Sequence, residues 1–74
     1  MSIISRVATP EYTMELRKYG KVYVINFTLA GKSTVILHSS SSKVRLDGVF
    51  RYLAYNVHIA NREATALLDR LNFG

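Results

Sequence analysis

The chain has 74 residues, of which 49% are hydrophobic and 20% are charged, a balance typical of a globular domain and unlike that of a disordered tail. At this length a single core must supply nearly all the stability, so we expect one domain over residues 1–74. The absence of cysteine excludes disulfide bridges and cysteine-ligated zinc, which leaves self-association as the expected means of stabilising so small a domain.

The distribution of apolar residues argues against a membrane protein and against a secreted one. No stretch of 18 apolar residues is present, so the sequence predicts no membrane span. Residues 1–10 lack the apolar run of a signal peptide, and we therefore expect a cytoplasmic location.

Residues 12–38 carry the pattern of β-strands. They are β-branched, aromatic or alternating in polarity, and the pattern is interrupted only at Tyr19 and Gly20 and again at Ala30 and Gly31. This predicts two successive antiparallel hairpins, with strands over about residues 12–19, 21–29 and 33–39. A further edge strand over about residues 3–8, ended by Pro10, would bring the sheet from three strands to four.

The register of the first hairpin decides which side chains form the core. A two-residue turn at Tyr19 and Gly20 would place apolar cross-strand pairs on one face, whereas a glycine bulge would shift the register by one residue and exchange the faces. We prefer the first arrangement, which pairs Leu16 with Tyr23, Met14 with Ile25 and Tyr12 with Phe27.

The strand over residues 21–29 is apolar on both faces, which is typical of a central strand covered on both sides. Its second face carries Val22 and Val24, and two helices cannot cover this face while also covering the first. We therefore predict a homodimer or higher oligomer that buries the second face. The strand over residues 33–39 has the same character, with Val35 and Leu37 on one side and Ile36 and His38 on the other.

Four serines at residues 39–42 precede a helical pattern. Apolar residues at helical spacing predict a helix over about residues 43–58, with one of the serines or Asp47 as its N-cap. Asn61 is the candidate N-cap of a second helix over about residues 62–72, whose apolar stripe comprises Ala64, Leu67, Leu68 and Leu71. The break is predicted at residues 58–61, with a short strand through Val57 and Ile59 as the alternative.

These elements together predict an α+β fold. A small antiparallel sheet of three to four strands is followed by one or two C-terminal helices, which pack on one face of the sheet. No internal repeat is visible in the chain.

Gly31, Lys32 and Ser33 have the order that closes a Walker nucleotide-binding loop. That loop also requires a glycine at position 26, where this chain has Asn26. A Walker loop leads into a helix N-terminus, whereas the residues that follow here have a strand pattern. We therefore predict that Gly31 forms a β-turn.

The sequence shows no arrangement of residues that indicates catalysis. Neither His38 nor His58 has a second histidine or a cysteine at metal-ligand spacing. No serine, acid or second base falls at a spacing that would place a nucleophile or an orienting partner beside either histidine. Glu11 and Glu15 belong to one strand and its approach, which argues against a paired-carboxylate site. We predict no metal, no cofactor and no enzymatic activity.

Positive charge is concentrated in one part of the chain. Ten Lys and Arg against five Asp and Glu give a net charge of +5, and no acid occurs between Leu16 and Leu46. An ordinary solvated surface is one explanation, because lysines at turns and strand edges also prevent aggregation. The basic residues of this segment are Arg17, Lys18, Lys21, Lys32, Lys43 and Arg45.

Tyr19 lies within the sequence RKYGK, at a predicted turn tip where packing cannot bury it. An exposed aromatic ring among cations is typical of sites for single-stranded nucleic acid, where the ring stacks on a base and the cations meet phosphates. A second aromatic and basic strip is predicted on the outward side of the first helix, or else an ordinary solvated helix face. That strip comprises Arg51, Tyr52, Tyr55 and Arg62.

Two functions follow from these patterns. The first is non-enzymatic binding of single-stranded DNA or RNA, in which Tyr19 stacks on a base and the six basic residues neutralise phosphates. The alternative is a small adaptor or inhibitor of the type that phages and mobile elements encode. Such a protein would bind an acidic protein partner through the same surface, or any partner through the apolar second sheet face. The concentration of positive charge favours the first.

Overall fold

The structure is a computed structural model that describes residues 2–73, with the backbone alone for residues 72 and 73. The elements are β1 (Ser2–Ala8), β2 (Tyr12–Tyr19), β3 (Val22–Leu29), β4 (Thr34–Ser40), α1 (Lys43–Tyr55) and α2 (Val57–Phe73). The four strands form one antiparallel sheet in the order β1-β2-β3-β4. The predicted α+β fold, a sheet followed by helices, is confirmed.

Both helices pack on one face of the sheet, which we call the helix face. Alternate residues of β2 and β3 point into this face, because successive side chains of a strand lie on opposite sides of a sheet. On α2 the buried residues are Ala60 and Ala64, whose methyl groups let the helix approach the strands closely. The core residues in chain order are Met14, Leu16, Ile25, Phe27, Val35, Leu46, Phe50, Leu53, Ala60 and Ala64.

The first hairpin has the predicted faces, but its register differs by two residues. Leu16 pairs with Ile25 and not with Tyr23, and the two-residue turn is formed by Gly20 and Lys21. Gly20 has a φ of +60°, the positive value that the first central position of a type II′ turn requires. A shift of two residues preserves the alternation of a strand, so the predicted core side chains remain on the helix face.

A β-bulge at Leu37 changes the predicted faces of β4. Ile36 pairs with Asn26 and His38 pairs with Ile25, which leaves Leu37 without a partner on β3. The extra residue shifts the alternation by one position, so His38 lies on the helix face while Ile36 lies on the opposite one. The prediction that these two side chains share a face is wrong, because strict alternation does not anticipate a bulge.

The first helix begins where the serine run predicts. The backbone N–H of Arg45 donates to Oγ of Ser42 at 3.2 Å, which makes Ser42 the N-cap of α1. Asp47 lies inside α1, so the alternative N-cap at that residue is wrong.

The break between the helices is at Asn56. Its backbone N–H donates to the carbonyl oxygens of Tyr52 and Leu53, and its side-chain amide donates to the Tyr52 carbonyl at 2.9 Å. The carbonyl of Asn56 then accepts the N–H of Ile59 at 2.9 Å, so one residue ends α1 and begins α2. The predicted N-cap at Asn61 and the alternative strand through residues 57 and 59 are wrong, since all three positions lie within α2.

The second face of the sheet, which we call the open face, is covered by no element of residues 2–73. β1 joins the sheet beside β2 and does not fold over this face. Val22 is 43% exposed there, whereas Val24 is only 8% exposed because Arg17 and Ser39 flank it on the neighbouring strands. The central position of β3 is confirmed, but Val24 needs no second layer to be buried, which weakens the argument for a dimer through this face.

Candidate functional site

Four of the predicted binding residues lie at one end of the sheet. Tyr19 pairs with Val22 beside the first hairpin turn, and Tyr23 pairs with the last residue of β4, just before α1 begins. The turn between β2 and β3 and the start of α1 are therefore at the same end. We call this surface the basic end, and its exposed side chains are Lys18, Tyr19, Lys21 and Lys43.

Strand alternation divides the basic end between the two faces of the sheet. Tyr19 lies on the open face and is 43% exposed, which confirms that packing does not bury its ring. Lys18 lies on the helix face, and its Nζ is 5.8 Å from the ring centroid of Tyr23, a cation–π distance. Lys21 is at the turn between the faces. A ligand that covers Tyr19 must therefore pass around the turn to meet Lys18.

Lys32 does not belong to this surface, because the second hairpin turn is at the opposite end of the sheet. The eight residues of β3 separate the two turns by about 23 Å. Lys32 lines a cleft of about 210 Å³ that also contains Asp69, and the backbone of Glu11 is hydrogen-bonded to Ala30 at the same end. The structure therefore places Lys32 apart from the predicted binding residues of the basic end, near Asp69.

The segment with the Walker-like order Gly31, Lys32 and Ser33 includes a tight turn. The N–H of Lys32 donates to the carbonyl of Leu29 at 2.9 Å, and Gly31 has a φ of +74°. A positive φ at the third residue with this hydrogen bond defines a type II β-turn. β4 follows the turn, so no helix N-terminus faces it, and the prediction of a β-turn is confirmed.

Arg17 lies on the open face within a cluster of charges. Its Nη2 is 2.9 Å from Oε1 of Glu15, and Nε of Arg6 is 3.3 Å from Oε2 of the same carboxylate. The hydrogen bond to Glu15 raises the pKa of Arg17 above its ordinary value, and a hydrogen bond to Tyr19 acts in the same direction. Arg17 thus connects Tyr19 to Glu15 and is partly neutralised, unlike the lysines of the basic end.

Arg45 lines the same cleft as a histidine–carboxylate contact that the sequence did not indicate. Nε2 of His38 is 3.4 Å from Oε2 of Glu63, because the bulge turns His38 toward α2. Both residues line a cleft of about 430 Å³ together with Arg45 and Tyr52. Sequence spacing did not indicate this contact, because residues 38 and 63 are brought together by the tertiary packing of α2 on β4. Arg45 thus lines a cleft that contains this acid, unlike the exposed lysines of the basic end.

The second predicted strip lies on the helices and is exposed. Tyr52 is 55% exposed and Tyr55 is 89% exposed, and Arg51 and Arg62 are also exposed. The strip belongs to the surface of α1 and the start of α2, whereas Tyr19 lies on the open face of the sheet. The two aromatic surfaces are therefore separate sites if both bind a ligand.

Within residues 2–73 no group of three or more His, Asp or Glu side chains lies close enough together to hold a metal ion. The described part of the chain also contains no helix that is long and apolar enough to cross a membrane.

Comparison of the chain with protein-family models, with curated protein sequences and with solved structures gives no significant match.

Proposed function

We propose that the chain is a small, non-enzymatic module that binds single-stranded nucleic acid at the basic end. The observation that carries this proposal is the exposure of the Tyr19 ring next to Lys21, at an end of the sheet where Lys18 and Lys43 are also exposed. The first turn of α1 contains no acid, and Glu15, the acid nearest to Tyr19 along β2, is already bound to arginine.

The proposed contacts follow from the positions of these side chains. Tyr19 stacks on one base from the open face, since every base has a π-face and stacking tolerates any sequence. Lys21 contacts the adjacent phosphate at the turn. Lys18 and Lys43 contact phosphates where the nucleic acid passes around the turn to the helix face. Phosphate contacts from lysine carry no base information, so the module binds without marked sequence preference.

The number of lysines sets the expected dependence of affinity on salt. Each phosphate neutralised on a single strand contributes about −0.7 to the slope of log K against log salt concentration. Three lysines therefore give a slope of about −2. This value is smaller than that expected if all six basic residues of the segment took part.

The test is fluorescence anisotropy with a labelled single-stranded oligonucleotide between about 50 and 300 mM salt. Lys18→Ala with Lys21→Ala should flatten the slope by about 1.4, as expected for two lost phosphate contacts. Tyr19→Ala should weaken binding by about 1–3 kcal/mol and leave the slope unchanged.

Lys32→Ala is the matched control, because it removes one lysine from the opposite end of the sheet and should change neither quantity. Equal effects of Lys32→Ala and Lys21→Ala would show that only net charge matters and would refute a defined site. No binding at the lowest salt concentration would refute the proposal itself.

The alternative, an adaptor or inhibitor that binds a protein partner, is favoured by one observation on the open face. Val22 and Ile36 are 43% and 56% exposed there, next to polar side chains. Co-purification of nucleic acid, measured by the ratio of absorbance at 260 and 280 nm before and after a high-salt wash, distinguishes the two functions. Protein free of nucleic acid at low salt would favour the protein partner.

A further inference from the structure

β4 is an edge strand with little protection against pairing. The sheet ends at β4, so one side of its backbone has no neighbouring strand within residues 2–73. Natural edge strands are usually protected by charges, prolines or bulges. The opposite edge, β1, has Arg6, a bulge and the nearby Pro10, whereas β4 has the bulge at Leu37 and no lysine, arginine, aspartate or glutamate.

An apolar groove lies along this edge, between β4 and the C-terminal half of α2. Its volume is about 580 Å³, and it contains two of the most exposed aliphatic side chains, Ile36 at 56% and Leu71 at 71%. Ile36 points to the open face and Leu67 to the helix face, so the groove wraps around the strand edge. The residues that line it are Thr34, Val35, Ile36, Leu67, Arg70 and Leu71.

We propose that a second copy of this chain occupies the groove, so that β4 pairs antiparallel with β4 of the second copy about a two-fold axis. The axis passes near Ile36 on the strand and near Leu67 on the helix, two of the apolar residues that line the groove. The product is a continuous eight-stranded sheet with all four helices on one face. This inference does not depend on the nucleic-acid proposal.

Charge complementarity supports the second copy as the occupant. α2 runs antiparallel to β4, because Glu63 contacts His38 near one end of the strand while Arg70 lies beside Thr34 at the other. A two-fold axis near Leu67 therefore brings Glu63 of one copy close to Arg70 of the other. Two equivalent acid–base pairs thus form across one symmetric interface.

The size of the interface agrees with a weak dimer. The seven residues of β4 extend over about 20 Å, and the sheet and helix layers together are about 20 Å deep. A strip of these dimensions buries roughly 400 Å² per copy, which is less than one tenth of the 5051 Å² surface of the chain. A total of about 800 Å² is below the standard size of specific interfaces and is typical of weak, transient contacts.

Sedimentation equilibrium over about 1–500 μM tests the proposal. The mass should rise with concentration from the 8.4 kDa of one chain toward twice that value. Ile36→Lys should raise the dissociation constant at least about tenfold, since it places a charge in the centre of the apolar groove.

Ile3→Lys is the matched control. Ile3 is 51% exposed on the same sheet face but on the opposite edge strand, and its substitution should leave dimerisation unchanged. Circular dichroism of both variants shows whether they fold. A monomer at every concentration would overturn the proposal. Equal loss of dimer in both variants would also overturn it, in favour of a dimer through the open face.

A charge-swap experiment tests the two-fold geometry directly. Glu63→Arg and Arg70→Glu each place like charges together across the interface, and each should raise the dissociation constant about tenfold. The double variant restores opposite charges and should restore most of the affinity. Residues 63 and 70 are two helical turns apart in one chain, so such a rescue reports a contact between copies. Additive losses in the double variant would overturn the proposed axis.

Discussion

Val24 and Ile25 are adjacent on β3, and both are buried, yet the structure predicts very different costs for truncating them. Ile25 is 0% exposed inside the core on the helix face, whereas Val24 is 8% exposed on the open face with only flanking side chains around it. Ile25→Ala removes three carbon atoms, worth about 2.4 kcal/mol at 0.8 kcal/mol each, and leaves a cavity that adds to the cost. Val24→Ala removes two carbon atoms, worth at most about 1.6 kcal/mol, and water can fill the space.

Urea denaturation followed by circular dichroism, at a few micromolar protein, measures both changes. Ile25→Ala should cost about 3–5 kcal/mol of a total stability of about 4–11 kcal/mol, and Val24→Ala about 1–1.5 kcal/mol. Equal slopes in urea would show that both variants unfold from equally compact native states. If Val24→Ala cost as much as Ile25→Ala, the faces of the first hairpin would be exchanged, or a second layer would cover the open face.

Three further expectations concern the open face, the start of α1 and the second turn. Glu15→Gln raises the net charge by one and removes the carboxylate that partly neutralises Arg17 on the open face, so it should steepen the salt slope of nucleic-acid binding by up to about 0.7. Glu11→Gln is the same charge change at the opposite end of the sheet and should leave the slope unchanged. Ser42→Ala removes the N-cap of α1 and should cost about 1 kcal/mol of stability in thermal unfolding, against no measurable cost for Ser41→Ala. Calorimetry with magnesium should detect no ATP or GTP binding, and micromolar binding abolished by Lys32→Ala would contradict the turn assignment.

The elements of the fold were predictable because the chain carries strong periodic signals. The change from alternation in residues 12–38 to helical spacing after the serine run predicts a sheet followed by helices, and the structure has this order. The core face of β2 was also predictable, since a shift of two residues in the pairing register does not change which side chains point inward.

The errors arose where one residue changes the local geometry. The bulge at Leu37 moves His38 to the other face, and nothing in the alternating pattern of β4 indicates it. Asn56 ends α1 through hydrogen bonds of its side chain and its backbone, although the apolar pattern continues across it. Asparagine side chains can compete with helical hydrogen bonds at many positions, so the residue type alone does not identify the break.

The basic surface was only partly predictable, because sequence proximity differs from spatial proximity in a sheet. Lys18 and Lys32 lie in the same acid-free segment, but the topology places them at opposite ends of the sheet. Arg45 lines the same cleft as Glu63, which is distant in sequence. Successive hairpins of an antiparallel sheet have their turns at opposite ends. The positions of charges along the sequence do not show which end each charge occupies.

The two proposals together imply a further property, the dependence of affinity on the length of the nucleic acid. In the proposed dimer the two Tyr19 rings lie on the same continuous open face. The β2 strands of the two copies are five strand spacings apart, which is about 24 Å across the sheet. Each Tyr19 lies four residues from the level of the axis, so the two rings are about 26 Å apart along the strand direction. The rings are therefore about 35 Å apart on a diagonal across the sheet.

When one oligonucleotide is long enough to reach both Tyr19 rings, its binding to the second copy becomes intramolecular. The effective concentration of this second step depends on the length of the oligonucleotide. An oligonucleotide of about 20 nucleotides should therefore bind the dimer much more tightly than one of about three, which is too short to reach both rings. A longer oligonucleotide also offers a monomer more positions at which to bind, which raises the apparent affinity. Ile36→Lys measures this contribution alone, because it should remove the dimer and leave Tyr19 intact. We expect Ile36→Lys to keep the affinity for the short oligonucleotide and to lose most of the advantage of the long one. If the advantage of the long oligonucleotide is the same in Ile36→Lys, each copy binds alone, and the open faces of two copies do not act as one surface.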